Sequence, residues 1–153
     1  MKVILFCILI CLTFGIRAQQ TDYAKLRPSV LVTACGVQDS SIVNTSIRNL
    51  LALDTSGIIK NMHMYYEDLG QCYWMKSGGK DGQHYLQLSI EVTNKALYHQ
   101  PESSKALWNL AFAHTMMGDC EKGRSYIEKY KLATRKKYWD EDQIRLLLER
   151  CSI

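Results

Sequence analysis

The sequence predicts an all-α fold built from helical hairpins, and three observations predict it. From Ser41 onward, apolar residues recur at steps of three and four, the spacing of one helix face. Gly, Pro, Ser and Asp fall between these stretches, where helices must stop and start. The stretch from Ala106 to Gly123 reads as a helix, a tight turn at Gly118-Asp119 and a second helix, with small residues where the two must touch.

The elements follow in order. Residues 1–18 read as a secretory signal peptide: Lys2, an apolar run from Val3 to Ile16, then Arg17 and Ala18. That run is shorter than the roughly 20 apolar residues a membrane span needs. Cleavage after Ala18 leaves one domain of ordinary size, and an uncleaved anchor is the alternative. Cys11 follows Ile10, not the small residue a lipoprotein box requires. Residues 19–40 are poorly defined. Within them Pro28 to Ala34 is either a short helix closed by Gly36 or an extended run through Val30-Leu31-Val32.

The helical domain spans 41–153. Its first helix carries Val43, Ile47, Leu50 and Leu51 on one face and ends near Asp54 to Gly57. A long helix follows, with Ile58, Met62, Tyr65, Tyr66, Leu69 and Tyr73 as its stripe. Ser77 to Gly82 is a loop by composition. A helix from Gln83 to His99 turns Leu86, Ile90, Thr93, Ala96 and Leu97 inward, and Pro101 stops it. Ser103 or Ser104 caps the helix of Trp108 and Phe112, and Asp119 opens the one carrying Tyr126, Ile127 and Tyr130. The last helix opens at Asp140 with Gln143 three residues on, a capping-box spacing, and lines up Ile144, Leu147, Leu148 and Cys151.

Charge excludes little and suggests little. Loss of Lys2 and Arg17 with the signal peptide lowers the formal charge from +4 to +2. That is too small a surplus to argue for nucleic acid or an anionic membrane surface. The basic residues Lys129, Lys131, Arg135, Lys136 and Lys137 lie at a helix end, where cations complement the dipole. Cys7 and Cys11 leave with the signal peptide, so Cys35, Cys72, Cys120 and Cys151 remain; none of the spacings is Cys-x-x-Cys.

Between Lys60 and Thr134 the pattern resembles two tetratricopeptide (TPR) repeats. In the second, Leu107 and Leu110 stand at packing positions of the first helix, Ala111 at the small crossing position and Gly123 at the small position of the second helix. Tyr130 occupies a site where the family prefers Ala. In the first, Tyr66, Leu69, Gly70 and Tyr73 match one helix, and Ser89, Ala96, Leu97 and Pro101 match the other, with an insertion around Gly78 to Gly82. The resemblance implies antiparallel helix pairs stacked as a short solenoid. The 140–151 helix serves as its C-terminal cap, because two units alone bury too little. A generic helical hairpin bundle is the alternative.

In that arrangement the final helix runs antiparallel to the helix starting at Asp119, which implies a Cys120–Cys151 disulfide. Cys35 and Cys72 remain as a second pair, or Cys72 is a buried thiol. The resemblance also implies a concave face lined by Glu67, Gln71, Trp74 and Met75 from one unit and Lys105, Trp108, Phe112, Thr115 and Met116 from the next. The alternative is that flanking helices cover these residues as core. A carboxylate clamp is rejected: Asn109 fits, but Glu67 and Gln71 replace the Lys and Asn it needs.

No catalytic set assembles. His63, His84, His99 and His114 lack the spacing of a compact ligand set. Glu67-Asp68 are adjacent on a helix and diverge, and the acids at 140–142 serve a helix start. Gly78-Gly79-Lys80 lacks the P-loop spacing. Asn44-Thr45-Ser46 is a glycosylation acceptor triplet.

The expectation is an exported protein, periplasmic or secreted, that is not an enzyme and holds no metal or cofactor. It binds a protein or peptide partner through a TPR-like groove, without nucleic acid and without membrane insertion after cleavage. The competing readings are a secreted, disulfide-stabilised helical ligand of cytokine type and a small secreted hydrolase.

Overall fold

The computed structural model describes residues 21–30 and 40–151. The stretch read as a signal peptide, Cys35 and the second half of the Pro28–Ala34 stretch lie outside the described residues. The fold is all-α, with neighbouring helices packed on one another. In chain order it runs β1 (Thr21–Asp22), α1 (Tyr23–Val30), α2 (Ser40–Leu51), a 3-10 turn (Thr55–Gly57), β2 (Ile58–Lys60), α3 (Met62–Lys76), α4 (Gly82–His99), α5 (Ser104–Met116), α6 (Cys120–Ala133), a second 3-10 turn (Lys136–Tyr138) and α7 (Glu141–Arg150). Among the described residues no helix is long and apolar enough to cross a membrane.

Several boundaries move from their sequence positions, each for a physical reason. The first helix is Tyr23–Val30, with Pro28 inside its second turn, so helix begins well before the proline. Ile58 is buried as expected, but in a short strand paired in parallel with Thr21–Asp22. The chain then turns through Asn61, whose φ of 58° is left-handed, a conformation Asn tolerates better than most residues. Asn61 Nδ2 donates to Asp22 Oδ1 at 2.7 Å, which ties the turn to β1. On α2 the buried face is Val43, Ser46, Ile47 and Leu50, whereas Leu51 is 57% exposed. Ser46 takes the inward place because it lies three residues after Val43 and four before Leu50.

The remaining helices start and stop on the expected residues. The Ser103 hydroxyl accepts from Ala106 N at 3.2 Å and caps α5. Gly118 adopts φ 81°, and Asp119 N donates to the His114 carbonyl at 2.9 Å, a Schellman closure that only a residue at ease with positive φ permits. Asp119 caps α6, and Asp140 caps α7 by accepting from Gln143 N at 3.0 Å.

Side-chain pairs fix helix directions. Tyr66 stacks on His99 at 5.6 Å and Tyr73 on Tyr85 at 6.3 Å, so α3 and α4 are antiparallel. Trp108 meets Tyr130 at 5.3 Å and His114 meets Tyr126 at 5.5 Å, so α5 and α6 are antiparallel too. Glu67 contacts Ser103 while Trp74 contacts Phe112, which makes α3 and α5 parallel neighbours.

Both hairpins close on a glycine. A Cβ on Gly70 would meet Thr93 Oγ1 at 2.2 Å. One on Gly123 would meet Thr115 Oγ1 at 2.3 Å and the Thr115 backbone N at 3.3 Å. Ala111 is fully buried, but its cluster holds Ile127, Ile144 and Leu147; the neighbour of Gly123 is Thr115. Cys120 and Cys151 are joined by a disulfide, their Cα atoms 5.5 Å apart and 31 residues apart in sequence. Arg124 adds a 3.0 Å hydrogen bond to the Cys151 carbonyl, fixing the end of α7 against the start of α6.

Candidate interaction surface

Two features meet along the α3–α5 pair. One is an aromatic run and the other is a buried polar cluster. The helical period builds the run. Trp108, Phe112 and Met116 follow one another at steps of four on α5, and Gln71 and Trp74 lie three apart on α3. Because α3 and α5 are parallel, the two stripes come side by side, with the Trp74 and Phe112 ring centroids 4.7 Å apart. Trp74, Trp108, Phe112, Met116 and Gln71 are all partly exposed. Trp108 and Phe112 rest by their inner edges on the cluster of Ile127, Ile144 and Leu147. Trp74 and Met116 rest on that of Leu86, Ile90 and Leu110. The Trp74 Nε1 atom is covered and has no hydrogen-bond partner among the described residues.

The structure does not bring all nine expected residues to this face. Thr115 is buried in the seam against Gly123. Met75 turns the other way, onto the N-terminal core, and lines a cleft of about 510 Å³ beside Val43, Asn44 and the Gly78–Asp81 loop. Glu67 is buried: its carboxylate accepts from the Ser103 hydroxyl, and its backbone carbonyl accepts from Asn109 Nδ2 at 3.4 Å. Lys105 reaches back to Asp68.

Asp68 is the centre of the polar cluster and is 2% exposed. Arg27 Nε donates to its Oδ2 at 2.6 Å and the second Arg27 nitrogen to Oδ1 at 3.0 Å, a two-point grip. Lys105 Nζ lies 2.6 Å from Oδ1, and the Tyr23 hydroxyl donates to Oδ2 at 3.1 Å. One carboxylate thus joins α1, α3 and α5. Burial pushes the Asp68 carboxyl up, but Arg27 and Lys105 outweigh it and hold the group below its ordinary value. Burial, and then the Asp68 charge, raise the Tyr23 phenol far above its ordinary value. With both oxygens occupied by cationic donors, Asp68 is equipped to fasten helices and poorly placed to move protons.

Sequence reasoning passed over this cluster. In the sequence Asp68 reads as one of a diverging acid pair, and its partners Tyr23 and Arg27 fall in a stretch without a readable period. A signal was nevertheless present: Asp68 sits between Tyr65 and Leu69 in the apolar stripe, where an acid needs a buried counter-charge.

His114 belongs to a different place, the α5–α6 turn. Its Nδ1 lies 3.3 Å from Asp119 Oδ2, and Tyr126 stacks on its ring. Burial lowers its basicity and Asp119 offsets part of that. Among the described residues, no group of three or more His, Cys, Asp or Glu side chains converges as a metal site would. No protein-family model, no curated protein and no solved structure matches the chain.

Proposed function

We propose that the chain is an exported interaction module that holds a segment of a protein partner along the α3–α5 face. The observation that carries this reading is the partly exposed aromatic run of Trp74, Phe112 and Trp108 across two parallel helices. Aromatic side chains anchored by one edge and open at the other are what binding hot spots are made of. The small residues in the hairpin seams and the alternation of antiparallel and parallel neighbours support a TPR-like stack. The Cys120–Cys151 disulfide supports an oxidising compartment, periplasmic or secreted.

The test is capture from the exported fraction with three baits: wild type, Trp108→Ala/Phe112→Ala, and Gln71→Arg. The double variant removes the anchors. Because both rings also rest on core residues, its helicity and melting must be compared with wild type. Gln71→Arg adds bulk and charge at a partly exposed position and leaves the core intact. Loss of the same partner from both variants is the expected result. A partner retained by Gln71→Arg and by a folded double variant would place binding elsewhere.

A further inference from the structure

The geometry points to a second interaction surface, a cleft at the C-terminal end of the helix stack that joins two copies of this chain about a two-fold axis. The cleft is about 420 Å³, lies between the end of α6, the second 3-10 turn and α7, and has Trp139, Ile144 and Leu148 as its apolar lining. It shares no lining residue with the α3–α5 face, although Ile144 packs beneath both.

The occupant is argued from charge. One wall is cationic: Lys131 and Lys136 line it, and Arg135 and Lys137 flank it in sequence. The other wall is α7, where Glu141 and Glu149 line the cleft. Arg145 also lines it, but Asp142 at 2.9 Å and Glu149 at 3.8 Å neutralise that cation. Lys131 is paired with Glu128 at 2.9 Å. Lys136 and Glu141 remain, one charge on each wall, and neither forms an ion pair among the described residues. An acidic peptide would satisfy one wall and be repelled by the other. A second copy turned by a half rotation sets each cationic wall against an anionic one and leaves the apolar linings face to face, as an isologous contact requires. Tyr138, 64% exposed beside the cleft, extends the apolar area available to the contact.

The test is sedimentation equilibrium of the full chain and of two charge-reversed variants, Lys131→Glu/Lys136→Glu and Glu141→Lys/Glu149→Lys. Helicity and thermal melts establish that each variant folds. The expected result is a monomer–dimer equilibrium in the wild type that high salt weakens. Each reversal alone should weaken it roughly tenfold or more, and mixing the two variants should restore a heterodimer. A wild type that stays monomeric, a dimer indifferent to both reversals, or folded variants that fail to recombine would overturn the proposal. So would a monomer whose cleft instead captures an acidic peptide.

Discussion

The two ends of the molecule are fastened by different chemistry. At the front, α1 is held by reversible contacts on one buried carboxylate: its Tyr23 and Arg27 both bond to Asp68, which Lys105 of α5 also grips. At the back, α7 is held by a covalent bond between Cys120 and Cys151, by apolar packing on Ala111 and Ile127, and by the Arg124 contact. A front end of this kind answers to charge and acid, and a back end of this kind answers to reductant. Each end can therefore be loosened while the other serves as its control.

The largest separation should come from the disulfide. Cys120→Ser/Cys151→Ser removes a closed loop of 31 residues, worth about 3–4 kcal/mol of unfolding free energy in the chain-entropy account. Denaturant unfolding measures the loss, and hydrogen exchange locates it. Faster exchange should appear in α7 and the start of α6, with α1 unchanged. Equal loosening of α1 would abolish the contrast.

Asp68→Asn should come next. It keeps the shape and strands two cations, which costs about 3 kcal/mol. The low end of the usual range applies because Arg27 and Lys105 are 37% and 33% exposed. Exchange should now rise in α1 and leave α7 alone. Acid should imitate the substitution. The folded-state Asp68 value is depressed, so its contribution is complete above the unfolded value near 3.9 and is lost as pH falls below that toward the depressed one. An Asp68→Asn protein with an unaltered acid transition would show that another group controls this end.

The two hairpin seams refine the comparison. Gly70→Ala and Gly123→Ala should each cost about 1–3 kcal/mol by overpacking. Gly70 faces chiefly the Thr93 hydroxyl, so Thr93→Ala should recover most of the loss. Gly123 also faces the Thr115 backbone at 3.3 and 3.4 Å, so Thr115→Ala should recover only part. Double-mutant cycles give the coupling directly, and equal recovery at both seams would contradict the difference in backbone approach.

The smallest effect belongs to His114. Its folded-state value is lowered, so the neutral form favours the native state. Stability should be complete above the unfolded value near 6.5 and decline slightly as pH falls through it, well before Asp68 responds. The change should track with α5–α6 in exchange measurements and vanish in His114→Gln.

What could be read in the sequence was what depends on near neighbours. The hairpin at Gly118-Asp119 was legible because a positive-φ glycine and an aspartate cap act within a few residues. The Cys120–Cys151 pair followed from the direction of one short terminal helix, and the structure contains it. What escaped was set by distant partners. Tyr23 and Arg27 are 45 and 41 residues from Asp68, and no local pattern links them. The same holds for β2, since Ile58 has helical spacing to Met62 but pairs with Thr21 instead. On the α3–α5 face, the repeat resemblance implies that Trp74 and Phe112 line one surface, and their rings lie 4.7 Å apart. The same resemblance implies Thr115 on that surface, but its side chain is buried in the seam against Gly123, where its hydroxyl has no partner among the described residues.

The bridge between Cys120 and Cys151 also decides how the protein carries mechanical load. Tension applied at the tail enters through Cys151 and passes directly to the root of α6, so α7 cannot be peeled away by pulling on its own end. In an optical trap the oxidised chain would stretch about 110 Å less than the reduced one, the contour of the shielded 31-residue span. Anything tethered at that tail would tug on the middle of the molecule rather than fray its edge.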